Sequence, residues 1–228
     1  MSELDVIIDA EERGRTELWP FWRKAYAKGD PLPAFPAPAP CAYHFDEGDP
    51  LPEEYKALLL RMLRHEGERA GNKSFLGLMA TCLDIAESLF PTRESWADDA
   101  LFHFFVDLNG AFHSRDWRES SYVPLAKMSA TVERDELGHS EMGYHFLQEI
   151  CGEARGRVLC QRLLEKWYPA ALDMFGRSDS KNAPVFIRWG LKSVDNAEIR
   201  RLYQGYVDAK LVALGLEPPD PRKNRRFV

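Results

Sequence analysis

The chain is poor in cysteine and has no paired spacing among the four it carries. Cys41, Cys82, Cys151 and Cys160 form no C-x-x-C pair, so a disulfide framework is not expected. It also lacks an apolar N-terminal run behind a basic start, which gives no support for a signal peptide; a reducing cytoplasm is the expected location. No uncharged apolar stretch approaches the ~20 residues a membrane span requires. Positive charge is scarce: the formal net charge is −6, which argues against a nucleic-acid surface because phosphate binding needs a concentrated basic face. The single basic cluster, Arg222-Lys223-Asn224-Arg225-Arg226, reads as a solvated tail. No glycine-rich phosphate loop follows a strand, so NTPase and dinucleotide-binding chemistry lack support. Alternating strand patterns are almost missing, and no repeat of fixed period is present.

Helical periodicity, by contrast, is plentiful. With 228 residues, 45% of them hydrophobic, the chain can build one substantial core. Residues 1–52 read as an N-terminal helix interrupted near Pro20, followed by an arm in which prolines crowd residues 30–52 and favour extended backbone wrapped on the surface. Residues 53–228 read as a helical domain. Tyr55, Leu58, Leu59, Met62, Leu63 and Glu66 recur at steps of three and four along a first helix, and Gly71-Asn72 stops it. A second helix runs from about Ser74 to Phe90, and a third, capped by Thr92 or Ser95, runs through Phe112. The fourth spans about Pro124 to Ile150, and two more stretches lie at about 153–175 and 184–214. The fold class is all-α: a ferritin-like antiparallel four-helix bundle with additional N- and C-terminal helices.

The fourth helix carries the segment "ERDELGHSE", residues 133–141. Residues three apart share a helix face, so Glu136 and His139 project together. A Glu-x-x-His pair directed into a bundle core is how ferritin-like carboxylate proteins hold iron or manganese. With 36 acids and six histidines in the chain, one acid-x-x-His pair is about what chance supplies, so geometry has to carry the argument. In an antiparallel hairpin, residues equally far from the turn lie at one height, because both helices rise ~1.5 Å per residue. Asp107 and Glu136 each lie 14.5 residues from a turn centred at 121.5. Asp107 also sits in the apolar run "FHFFVDLNGAF", where a buried charge must be paired or must ligate something. Asp107, Glu136 and His139 thus form one half of a dinuclear site.

The segment "SSYVPLAKMSATVERDELGHSEMGYHFL", preceded by "FFVDLNGAF" and followed by "FIRWGLKSVDNAEIRRLYQGYVDAKLVALGLEPPDP", resembles the phenylacetic acid catabolic family, the ferritin-like subunits of the phenylacetyl-CoA oxygenase (epoxidase) complex. The resemblance covers roughly residues 95–220. It implies a ferritin-like fold, Asp107, Glu136 and His139 as metal ligands, and a di-iron centre that activates dioxygen. It further implies an aromatic acyl-CoA substrate such as phenylacetyl-CoA, a separate reductase partner, and an oligomer with related subunits.

The other half-site departs from that pattern. Residues 52–92 contain one histidine, His65, with no acid three residues before it. The candidates there are Glu66 and the pair Asp84 and Glu87 in "FLGLMATCLDIAESLF", an oxygen-only set suited to manganese or Fe(II). Two readings stay open: a di-metal oxygenase subunit, or a non-catalytic ferritin-like partner subunit with a degenerate site. A bundle with no metal is a third. His103, one turn before Asp107, is either an orienting partner for it or a core histidine. Glu133, Asp135 and Glu141 are expected on the outward face. His145 has no acid at ligand spacing, and Trp117, Tyr122, Trp167 and Tyr168 are expected to be core before they are pocket.

Overall fold

The structure, a computed structural model, describes residues 30–59 and 93–227. It is helical, and the sole β pairing among the described residues is an isolated bridge between Phe45 and Tyr122. The elements are α1 (Trp96–Phe102), a π-helical segment (His103–Asp107), α2 (Leu108–Trp117), α3 (Val123–Gly152), α4 (Ala154–Asp173), α5 (Ala183–Arg188) and α6 (Asn196–Ala213). Residues 53–59 are also helical. The expected helix over 3–27, the second helix over 74–90 and most of the first lie outside the described residues. No described helix is long and apolar enough to cross a membrane.

Ser95 starts α1. Its hydroxyl oxygen accepts from Asp98 N–H at 3.2 Å, while the Asp98 carboxylate accepts from Ser95 Oγ at 2.8 Å and from Glu94 N at 3.3 Å, a reciprocal capping box. Asp98 is buried, and Lys166 Nζ at 2.6 Å and Trp167 Nε1 at 2.9 Å reach it from α4. Burial alone would raise the Asp98 pKa, but these partners outweigh it and hold the carboxyl below its ordinary range. The cap therefore also fastens α1 to α4. Trp167 and Tyr168 are fully buried, as core residues.

α1, the π segment and α2 run antiparallel to α3. Pro124 is accommodated in the first turn of α3, where its missing N–H costs nothing. The turn before it is held from two sides. Phe45 N–H donates to Ser121 O at 2.8 Å and Val123 N–H to Phe45 O at 2.9 Å, so the arm forms a short ladder with the turn. Ser121 N–H donates to Gly190 O at 2.7 Å, and Ser121 Oγ bonds Tyr55 Oη at 2.8 Å. Around this knot Tyr55, Leu58, Leu59, Trp189 and Leu191 form a second hydrophobic cluster.

Three expectations are corrected. Residues 184–214 are two helices: Gly190 adopts φ +69°, which ends α5, and Asp195 begins α6 by accepting from Glu198 N–H at 2.8 Å. The basic C-terminal cluster is docked. The Arg225 side chain is 4% exposed and pairs with Asp173 at 2.5 Å, the same carboxylate accepts from the Arg226 and Phe227 amides, and Lys223 pairs with Glu165. Glu133 is buried, held by Arg115 at 2.6 Å and Arg118 at 3.3 Å from the end of α2, whereas Asp135 is exposed as expected and Glu141 is half-buried near Lys210.

The hairpin is closest at Gly143. A Cβ there would lie 2.5 Å from Phe104 N and 2.8 Å from Ala100 O, both backbone atoms of the facing helix. Gly143→Ala is expected to lower unfolding stability by about 1–3 kcal/mol, measured by urea denaturation, because backbone cannot yield as a flexible side chain would. A variant as stable as the parent would show that the two helices can separate freely.

Candidate metal centre

Asp107 ends the π-helical segment, and Glu136 and His139 lie on the facing side of α3. One donor atom from each falls within 4.8 Å of the others. The structure thus brings together the three residues that hairpin register and helix spacing single out. Glu66, Asp84 and Glu87 lie outside the described residues.

The π segment explains how Asp107 reaches this place. Its wider turn inserts a residue into the helix and rotates the residues beyond it, and it opens main-chain carbonyls to outside donors. Ser140 Oγ donates to Phe104 O at 3.3 Å from α3, and Tyr203 Oη donates to Phe105 O at 2.7 Å from α6. Both carbonyls lie within the same π turn as Asp107. The bulge is therefore held by groups on two other helices.

His103, at the other end of the same segment, places its Nδ1 2.8 Å from Asp107 Oδ2. Burial disfavours its imidazolium, but the Asp107 hydrogen bond and charge, with Asp99 next, outweigh that and raise its pKa. Asp99 is 4.0 Å from His103 Nε2 and in turn pairs with Arg93 at 2.9 Å. Asp107 is thus buried with a basic partner one turn before it, and His103 is the orienting partner.

Glu136 has no such arrangement. Its side chain is 12% exposed and makes no hydrogen bond with the described residues; His139 Nδ1 stands 4.0 Å away. Burial first, then the nearby negative charges of Asp107 and Asp135, push its pKa up to about 8. Space for it is provided by Gly110 on α2, where a Cβ would sit 3.2 Å from Glu136 Cδ. Gly110, Ser140 and Tyr203 join the site only through the fold. Of the three, Gly110 has a legible sequence signal: it follows Asp107 by three residues, about one turn along the same helix face, and a missing side chain beside an inward acid marks room for it. His139 is the open edge of the group, its side chain 48% exposed.

In chemical terms the cluster offers two carboxylate donors and one imidazole, a set suited to iron, manganese or zinc. The lack of any cation beside Glu136 among the described residues, in a place where one carboxylate already sits, is the observation that fits a metal ion. Asp107 is turned toward the cluster by His103, as ligands commonly are by a neighbouring hydrogen bond.

The raised carboxyl has a stability consequence in metal-free protein. The unfolded Glu136 ionises near its ordinary 4.5 and the folded one near 8, so between these values the folded state holds one proton more. The contribution of Glu136 to stability is therefore fullest below about 4.5 and falls as pH rises toward about 8, by about 3–5 kcal/mol in all. Glu136→Gln should flatten this decline and be the more stable form at pH 9. Parallel urea-unfolding profiles for parent and variant between pH 5 and 9 would refute it.

Residues 79–226 match the family described as phenylacetic acid catabolic protein, nearly two thirds of the chain. The chain is also similar to one subunit of the 1,2-phenylacetyl-CoA epoxidase of Escherichia coli (strain K12), 27% identical over 136 residues. That match covers 58% of this chain and 43% of the relative, so the chain spans less than half the length of that protein. The helical architecture accords with the ferritin-like fold of this family. The chain belongs to the phenylacetic acid catabolic protein family.

Proposed function

We propose that Asp107, Glu136 and His139 hold a divalent metal, and that the chain is the ferritin-like subunit of an oxygenase acting on an aromatic acyl-CoA. The observation that carries the metal assignment is Glu136: a nearly buried carboxylate beside Asp107, with an imidazole within reach and no compensating cation among the described residues. The substrate class is supported by the similarity to a phenylacetyl-CoA epoxidase subunit. Iron is the metal this reading favours, with manganese accepted by the same donors.

Bound there, iron would supply the redox chemistry with dioxygen that no side chain in the cluster can perform. The protein's own groups do the rest. Glu136 must release its proton to become a ligand, so metal uptake is linked to pH and liberates protons. Asp107 supplies a carboxylate donor, and the hydrogen bond from His103 to its Oδ2 restricts the carboxylate's rotation. His139 supplies the nitrogen donor at the exposed edge. Related subunits complete the assembly, and a reductase partner delivers electrons.

A second reading rests on a specific feature of the sequence. Between residues 52 and 92 the one histidine, His65, has Met62 three positions before it, so no second Glu-x-x-His is available. A subunit that keeps the bundle with a partial site would then serve as a non-catalytic partner of a catalytic chain.

Anaerobic loading with Fe(II) or Mn(II), followed by elemental analysis per chain, separates these readings. Two ions per chain would mean that Glu66, Asp84 and Glu87 complete a dinuclear centre. One would assign the metal to Asp107, Glu136 and His139 alone, and none would overturn the metal assignment in favour of the partner subunit. In the loaded protein, His139→Ala is expected to weaken binding by about tenfold or more. Full occupancy in that variant would remove His139 from the ligand set.

A further inference from the structure

At the end of α2 remote from Asp107, the proline-rich arm, the turn before α3 and the residues after α5 border an open cleft of about 450 Å³. That volume is in the range of small-molecule sites, roughly 300–1,000 Å³. Arg118, which borders it, is eleven residues beyond Asp107, about 16 Å along the helix. The cavity and the carboxylate cluster are therefore separate places.

The walls are of two kinds. Pro38, Pro40, Tyr43 and Ile187 give an apolar side. The other side carries Arg118, Lys127 and Lys192 against one acidic residue, Glu119, in a chain whose net charge is −6. The internal pairings leave positive charge over. Glu133 is shared between Arg118 and Arg115, so one carboxylate faces two guanidiniums. Lys192, its side chain 12% exposed, donates to Asn196 Oδ1 at 2.9 Å and stands 3.8 Å from Asp116 Oδ2, while Asp116 Oδ1 is taken up by Ser193 and the Val194 amide. Lys127 is exposed and forms no ion pair with the described residues. Val123 and Ala126 also border the cavity, so the positive end of the 30-residue α3 dipole faces the same space.

This wall is built by the fold. Gly190 has a left-handed φ of +69°, and a Cβ there would collide with Cys41 Sγ of the arm. The arm is thus seated directly on the α5 terminus, with the Phe45 ladder holding it against the turn.

We propose that this cavity binds a small organic anion with an apolar body, its charged group held by Arg118, Lys127 and Lys192 and its body against Tyr43 and the prolines. Lys127 is the residue to test, because it is exposed, lies outside the metal cluster and has no described structural partner. The probe is phenyl phosphate, titrated calorimetrically into the metal-free 228-residue chain, with phenol and inorganic phosphate as the uncharged and bodiless controls. Saturable binding is expected, weakened at least tenfold by Lys127→Glu, largely kept by Lys127→Arg, and reduced by added salt. Phenol and inorganic phosphate should each bind more weakly than phenyl phosphate. Equal binding of phenol, an unchanged Lys127→Glu variant with parental melting temperature, or no binding at millimolar probe would each overturn the proposal. Metal loading of Lys127→Glu should equal that of the parent, so a failure here is separable from a failure of the metal assignment.

Discussion

A carboxylate taken out of water must find a cation, a set of donors or a proton, since the isolated charge costs several kcal/mol. The described part of this protein obeys that rule at every buried acid. Asp98 has Lys166, Trp167 and Ser95; Asp107 has His103; Asp116 has Ser193, the Val194 amide and Lys192; Glu133 has two arginines. Burial pushes the Asp116 carboxyl up despite these partners, but Glu136, with neither a hydrogen bond nor a cation beside it among the described residues, is answered by a proton, at a pKa near 8. A fold selected only for stability would have no reason to keep that exception, and local violations of this kind concentrate where a protein works.

The exception persists because the surrounding helices leave Glu136 nowhere else to go. Gly143 lets the α1 to α2 helix and α3 approach to backbone contact, and Gly110 leaves the gap into which the Glu136 side chain turns. Ser140 and Tyr203 hold the bulge that carries Asp107. The close approach of the helices and the placing of the two carboxylates thus depend on the same few contacts. The capping box at Ser95 and the knot of the arm, turn and α5 terminus hold the two ends of that hairpin.

Much of this is legible in the sequence, for identifiable reasons. Uniform helical rise places Asp107 level with Glu136 once the turn is found, and an antiparallel hairpin with a short turn tolerates an error of a residue or two. Ser95 and Pro124 announce helix starts through local chemistry, which needs no knowledge of the fold. The features that escape depend on partners distant in sequence. Glu133 reads as one more acid on a charged face until Arg115 and Arg118 are brought over it; the basic tail reads as solvated until Asp173 is placed beneath Arg225. The π segment "HFFVD" has no local signature, because its stability comes from donors on α3 and α6. Gly190 is visible as a glycine, but its second reason for being one, the close seat of Cys41 from the arm, appears only in the fold.

Charge balance also bears on how many ions the family's architecture can hold in this chain. Asp107 and Glu136, both ionised, offset one divalent cation; a second ion beside it brings two further positive charges into the same dry space. Those charges call for two further carboxylates, and a nitrogen donor would not substitute for them, because imidazole ligates without neutralising. The sequence offers Glu66, Asp84 and Glu87 as acids for that purpose, all outside the described residues, and no Glu-x-x-His accompanies them between residues 52 and 92. Under the proposed metal assignment, Glu136 is the described carboxylate with a proton to lose, so uptake of the first ion turns on its ionisation.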